Sequence, residues 1–115
     1  MKMNDYQAAC ERTANHGAER DAAERRFVNF ALGLMGEAGE VTDCIKKILF
    51  HGHSIEESRE RLKKELGDLL WYAATIATTA GLTLEEVAQT NIDKLWARYP
   101  EGFDSNRSRN RSEGR

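Results

Sequence analysis

Between Leu34 and Ile48 the apolar residues recur at the spacing of a helix face, and an acid falls among them. Successive residues of an α-helix turn by about 100°, so Leu34, Ala38, Val41, Ile45 and Ile48 form one stripe, with Glu37 inside it and Glu40 at its edge. A carboxylate turned toward a core needs compensation, because burying an unpaired charge costs several kcal/mol. An arginine or lysine, a proton, or a cation held by more than one acid would supply it. A chain built around this stretch has to be helical here and has to bring a partner to the acid.

The rest of the composition agrees with a helical protein. One proline in 115 residues, at position 100, with Ala, Leu, Glu, Lys and Arg abundant, favours a nearly all-α domain and argues against β-rich folds. This length fits one domain of modest core. The four arginines and two acids from Asp104 onward leave 13 of the 17 basic and 17 of the 19 acidic residues in the body. An acidic body does not suit a sequence-reading DNA binder, but it suits a protein that gathers divalent cations. Cys10 and Cys44 have neither CxxC spacing nor nearby zinc-ligand histidines, so both are expected to be reduced. With no leader or membrane span in the pattern, the expected compartment is the cytoplasm.

A first helix is expected from a cap at Asn4 or Asp5 to about Ala14, followed by a break over Asn15–Asp21. A second begins near Ala22 and carries Phe27, Phe30 and Leu34 into the central stretch. It contains Gly33, Gly36 and Gly39, which either permit close helix crossing or open an approach to the acids. Gly52 ends it, and Ser54 with Glu57 reads as a capping box for a third helix running back antiparallel. Leu62, Leu66, Leu69, Ala73, Ile76 and Ala80 are that helix's apolar stripe, bordered by Glu65 and Asp68. Gly81 ends it, Thr83 and Glu86 cap a fourth helix, and Tyr99-Pro100 stops the fourth. The domain is thus placed at 1–103, with 104–115 expected to be a basic, disordered tail.

Glu37-x-x-Glu40 and, one helix later, Glu65-x-x-Asp68 lie on facing helices, and folding back around Gly52 brings the two pairs to similar heights. Four carboxylates form an all-oxygen donor set for Mg²⁺ or Mn²⁺. The alternative is salt bridging to Lys46, Lys47 or Arg61. Lys47, Asn91, Lys94 and Arg98 carry donors suited to phosphate or sugar oxygens, and Trp71, Trp96, Phe30 and Tyr72 could stack on a base or fill the core.

The segments Gly33-Leu34-x-Gly36-Glu37-Ala38-Gly39-Glu40-Val41, Glu65-Leu66-Gly67-Asp68-Leu69-Leu70-Trp71-Tyr72 and Asn91-x-x-Lys94-Leu95-x-x-Arg98-Tyr99-Pro100-x-Gly102-Phe103, in this order, resemble the MazG-like all-α nucleoside triphosphate pyrophosphohydrolases. The resemblance implies a four- to five-helix bundle completed by oligomerisation into a homodimer or homotetramer. It also implies Mg²⁺-dependent conversion of a nucleoside triphosphate, often a deoxynucleotide, to monophosphate and pyrophosphate. Glu37, Glu40, Glu65 and Asp68 would serve as metal ligands and catalytic acids. Met35 stands where that family often has alanine, which leaves the carboxylates untouched.

Two other classes compete. A ferritin-like di-iron protein needs Glu-x-x-His pairs, and positions 40 and 68 hold Glu and Asp. A non-enzymatic helical oligomer or regulator would instead use the Arg107, Arg109, Arg111 and Arg115 tail to touch nucleic acid or a protein partner. The apolar residues Phe27, Phe30, Trp71, Leu95 and Trp96 exceed what so small a core hides, which independently favours an oligomer.

Overall fold

The computed structural model describes residues 1–14 and 23–111. Five helices follow in order: α1 (Met3–Cys10), α2 (Ala23–Phe50), α3 (Ile55–Thr79), α4 (Leu84–Arg98) and α5 (Ser105–Arg109). No strand forms among the described residues, and none of their helices is long and apolar enough to cross a membrane. The expected break over Asn15–Asp21 lies outside the described residues.

The α2–α3 hairpin dominates the packing. Its turn uses the left-handed conformation that glycine adopts without a Cβ penalty: Gly52 has φ of 74°, and the His53 amide donates back to the Lys47 carbonyl at 3.2 Å. Ser54 then caps α3 reciprocally with Glu57, accepting from the Glu57 amide at 3.0 Å while the Glu57 carboxylate accepts from the Ser54 amide at 2.6 Å. Gly81, also at φ 74°, repeats the device between α3 and α4. At α4 the box is half made: Thr83 accepts from the Glu86 amide, but the Glu86 carboxylate takes the Thr83 hydroxyl instead of a backbone N–H.

α1 is shorter than the sequence suggests, and neither expected cap forms: Lys2 is the N-cap, without a side-chain bond. Asn4 is engaged elsewhere, accepting from the Glu85 amide and donating to the Glu85 carboxylate, both at 3.1 Å. Gln7 does more. Its buried amide donates to Thr78 Oγ1 (3.0 Å) and the Leu82 carbonyl (2.8 Å) and accepts from the Leu84 N–H (2.7 Å). One side chain thus ties α1 to the end of α3 and the start of α4, beside a small core of Cys10, Ala74, Ala77 and Leu84. Gln7→Leu would leave the buried Leu84 N–H without this acceptor, a loss of about 1–3 kcal/mol. A chemical-denaturation midpoint well below the native one is the expected result, and an unchanged midpoint would show that the clamp contributes nothing.

α2 is apolar on two opposite sides. Phe30 and Cys44 are buried, and Glu37 stands midway between them at seven-residue intervals, so the packed line is centred on the acid itself. Ala38 and Ile45, assigned to the stripe from the sequence, lie toward solvent. About half a turn away, Val28 (59% exposed), Leu32 (66%), Met35 (74%) and Leu49 (68%) form a second apolar line that stands open among the described residues.

The tail departs from the expectation of disorder. Asp104 accepts from the Asn106 amide at 2.7 Å and the Arg107 amide at 3.2 Å and so starts α5, while a hydrogen bond from Ser108 attaches this turn to Tyr99 and lowers the Tyr99 pKa. A composition argument counts buried hydrocarbon and misses a helix held by side-chain caps. Residues 112–115 lie outside the described residues.

Candidate metal centre

Glu37 comes from the packed line of α2, and Glu65 and Asp68 come from the facing side of α3 three residues apart. One carboxylate oxygen from each lies within 4.8 Å of the other two. Glu37 and Glu65 are half-buried and Asp68 is exposed, so the cluster opens at one end. Desolvation raises the Glu37 pKa, and the charges of Asp68, Glu65 and Glu40 raise it further. The donor set fits a hard divalent cation: it is all oxygen, its members are within mutual reach, and it gathers like charges that repel one another.

Glu40 stands just outside this trio. Its Oε2 lies 3.5 Å from Arg61 Nη2, while Arg61 also reaches Asp43 Oδ2 (3.1 Å) and, through Nε, Glu65 Oε1 (3.5 Å). Asp43 in turn holds Lys47 at 2.9 Å. Hydrogen bonds from Lys47 and Arg61 hold the Asp43 carboxyl below its ordinary range, and the Asp43 bond raises the Arg61 pKa. A trio of acids able to hold a cation and a salt-bridged group around Arg61 therefore lie side by side. Of the basic residues suspected as bridging partners, Arg61 is the one that meets the acid pairs, whereas Lys47 pairs with Asp43. Asp43 was overlooked in the sequence, although it continues the three-residue spacing of Glu37 and Glu40.

A pocket of about 340 Å³ adjoins the trio, lined by Thr13, Glu37, Asp68, Trp71 and Tyr72. Trp71 donates from Nε1 to Thr13 Oγ1 at 2.9 Å, and its ring meets Phe30 and Tyr72 edge to face, with centroids 6.1 and 4.9 Å away. A methyl group at Gly33 would overlap the Tyr72 ring, so this glycine exists for close crossing, whereas Gly36 and Gly39 meet no described atom that a Cβ would touch. The aromatic wall continues into α1: burial pushes the Tyr6 hydroxyl up to about 12, with contributions from Cys10 and Asp68. Thr13 gave no signal in the sequence, because its place here depends on how α1 docks. Larger hollows at Glu24–Asn29 (about 500 Å³) and at the start of α4 (about 360 Å³) contain none of the converging acids.

The remaining candidates are not gathered at this pocket. Asn91 and Lys94 are exposed on α4, Arg98 lies over the Tyr99 ring with 5.7 Å to its centroid, and Trp96 is exposed. α4 is anchored at its first turn, where Leu84 is buried.

Residues 27–103, which include both acid pairs and every residue lining the pocket except Thr13, match the MazG nucleotide pyrophosphohydrolase domain. The chain belongs to this family. The Gene 37 protein of Mycobacterium phage L5 is 35% identical to it over 105 residues, which cover 89% of this chain and 92% of the phage protein. No solved structure matches the chain. In this MazG domain the matched segment starts after α1, so Gln7 and Thr13 belong to an N-terminal piece that packs onto the domain from outside the matched segment.

Proposed function

We propose that the protein hydrolyses a nucleoside triphosphate, of the ribo or deoxy series, to the monophosphate and pyrophosphate with Mg²⁺, for which Mn²⁺ can substitute. The observation that carries this reading is the meeting of Glu37, Glu65 and Asp68 from two facing helices inside the segment that matches the MazG domain. With Glu40 beside them, these acids would hold the cation, which supplies charge neutralisation for the phosphate oxygens. A water oxygen attacks the α-phosphorus, the bond from that phosphorus to the pyrophosphate oxygen breaks, and one of the carboxylates accepts the water's proton. The pocket beside the acids, with Trp71 and Tyr72 on its wall, is of a size and polarity to take the nucleoside end.

Lys47, Asn91, Lys94 and Arg98 are proposed to contact phosphate or sugar. The placement of Asn91 and Lys94 on an exposed α4 suggests that they act within a homodimer or homotetramer, whose formation the uncovered side of α2 supports. The test is product identity. Incubation with a panel of ribo- and deoxynucleoside triphosphates and Mg²⁺, followed by chromatography, is expected to give monophosphate and pyrophosphate in equal amounts. Orthophosphate and a diphosphate as first products would overturn the assignment.

A further inference from the structure

We propose that Arg61 competes with the divalent cation for Glu40 and Glu65 and thereby sets the cation affinity of the acid site, an inference that rests on the metal-binding reading above. Arg61 lies one turn before Glu65 on α3, and its guanidinium is held among three carboxylates from two helices: Asp43 at 3.1 Å, Glu40 at 3.5 Å and Glu65 at 3.5 Å. Two of these belong to the four acids assigned to the cation. A guanidinium is always charged and offers donors in a planar fork, so it satisfies carboxylate oxygens as a cation does, but without drawing them to one point. It thus holds Glu40 at the edge of the trio. A divalent ion drawing on Glu40 and Glu65 has to share them with Arg61 or take them from it, and it also feels the repulsion of a positive charge at close range. Both effects weaken ion binding.

Asp43 moderates this competition. It is the nearest carboxylate to the guanidinium and is itself held by Lys47, so the order of charges is Lys47, Asp43, Arg61, then Glu40 and Glu65. Removing Asp43 would leave Arg61 to the two cation ligands alone. The structure therefore assigns opposite effects to neighbouring substitutions, a pattern that loss of folding cannot imitate.

The experiment is calorimetric titration of the full chain with Mn²⁺ alone, with folding of each variant followed by circular dichroism. Arg61→Met is expected to tighten Mn²⁺ binding by about threefold to tenfold, the scale of losing a partly exposed ion pair. Arg61→Lys keeps the charge and should stay near the native value. Asp43→Asn is expected to weaken binding by a similar factor in the native background and by less than about twofold beside Arg61→Met, because the two residues act as one unit. Unchanged or weaker binding in Arg61→Met, or additive effects in the double variant, would overturn the proposal while leaving the acid site standing. No Mn²⁺ uptake by the native chain would overturn both. Arg61→Gln, read the same way, serves if the Met variant does not fold.

Discussion

Glu65→Gln is expected to lower the rate of pyrophosphate release by at least about 10²-fold while leaving the helical bundle folded. The amide matches the carboxylate in shape but removes a charge from the point where three carboxylate oxygens lie within 4.8 Å of one another. Glu37→Gln and Asp68→Asn should behave alike. Glu40→Gln should follow, since the charge of Glu40 already acts on Glu37 and its contact with Arg61 is long enough to exchange. Stability should move the other way. The ionised form of Glu37 is the disfavoured one, so its contribution to stability is present below the ordinary glutamate pKa and is lost as pH rises through the raised value. With chelator present, the native thermal midpoint should therefore fall across that window, and Glu37→Gln should flatten the fall. Activity retained in Glu65→Gln, or a collapse of helicity in all four amide variants, would remove the acids from their catalytic role.

The second large effect concerns assembly. Leu32→Glu is expected to turn a native oligomer into a monomer, or to raise its dissociation constant by at least about 100-fold, with a lower thermal midpoint. Hiding a leucine from water contributes about 1.5–3 kcal/mol, and a symmetric interface would use this residue twice. A carboxylate in its place adds the penalty of an unpaired charge. Met35→Glu on the same line should act similarly, whereas Glu24→Gln, a conservative change in the first turn of α2, serves as a control. Sedimentation of the native chain at micromolar concentration decides the matter: a stable native monomer, or an unchanged mass for Leu32→Glu, would refute the expected assembly.

These two expectations draw on features that differ in how openly the sequence displays them. Helix ends were readable where the chemistry is local: Ser54 with Glu57, and the glycines at 52 and 81, need only a few neighbouring residues to declare a turn. The convergence of Glu37, Glu65 and Asp68 was readable too, because a short turn and a fixed rise per residue set the register of a hairpin. What escaped depended on contacts distant in sequence. Gln7 looks like an ordinary polar residue of a weakly amphipathic helix until Thr78, Leu82 and Leu84 surround its amide. Glu40 has the same spacing and residue type as a member of the cluster, yet it lies outside the trio and 3.5 Å from Arg61 of the neighbouring helix, a contact that local spacing does not reveal. The second side of α2 is legible as apolar residues but not as a face, because a single stripe drawn from the spacing runs through Ala38 and Ile45 and leaves out Val28, Leu32 and Met35.

The uninterrupted length of α2 limits how a gene for such a domain can vary. One 28-residue helix carries an acid of the site, the line packed against α3 and the opposite apolar line, all phased by a single rotation. Inserting or deleting one codon between Glu37 and Cys44 would turn everything downstream by about 100° relative to everything upstream, so neither line would remain continuous and Asp43 would swing away from Arg61. Substitutions can be sampled one at a time along this rod, but its reading frame in space cannot slip, and changes in length are left to the connections between helices.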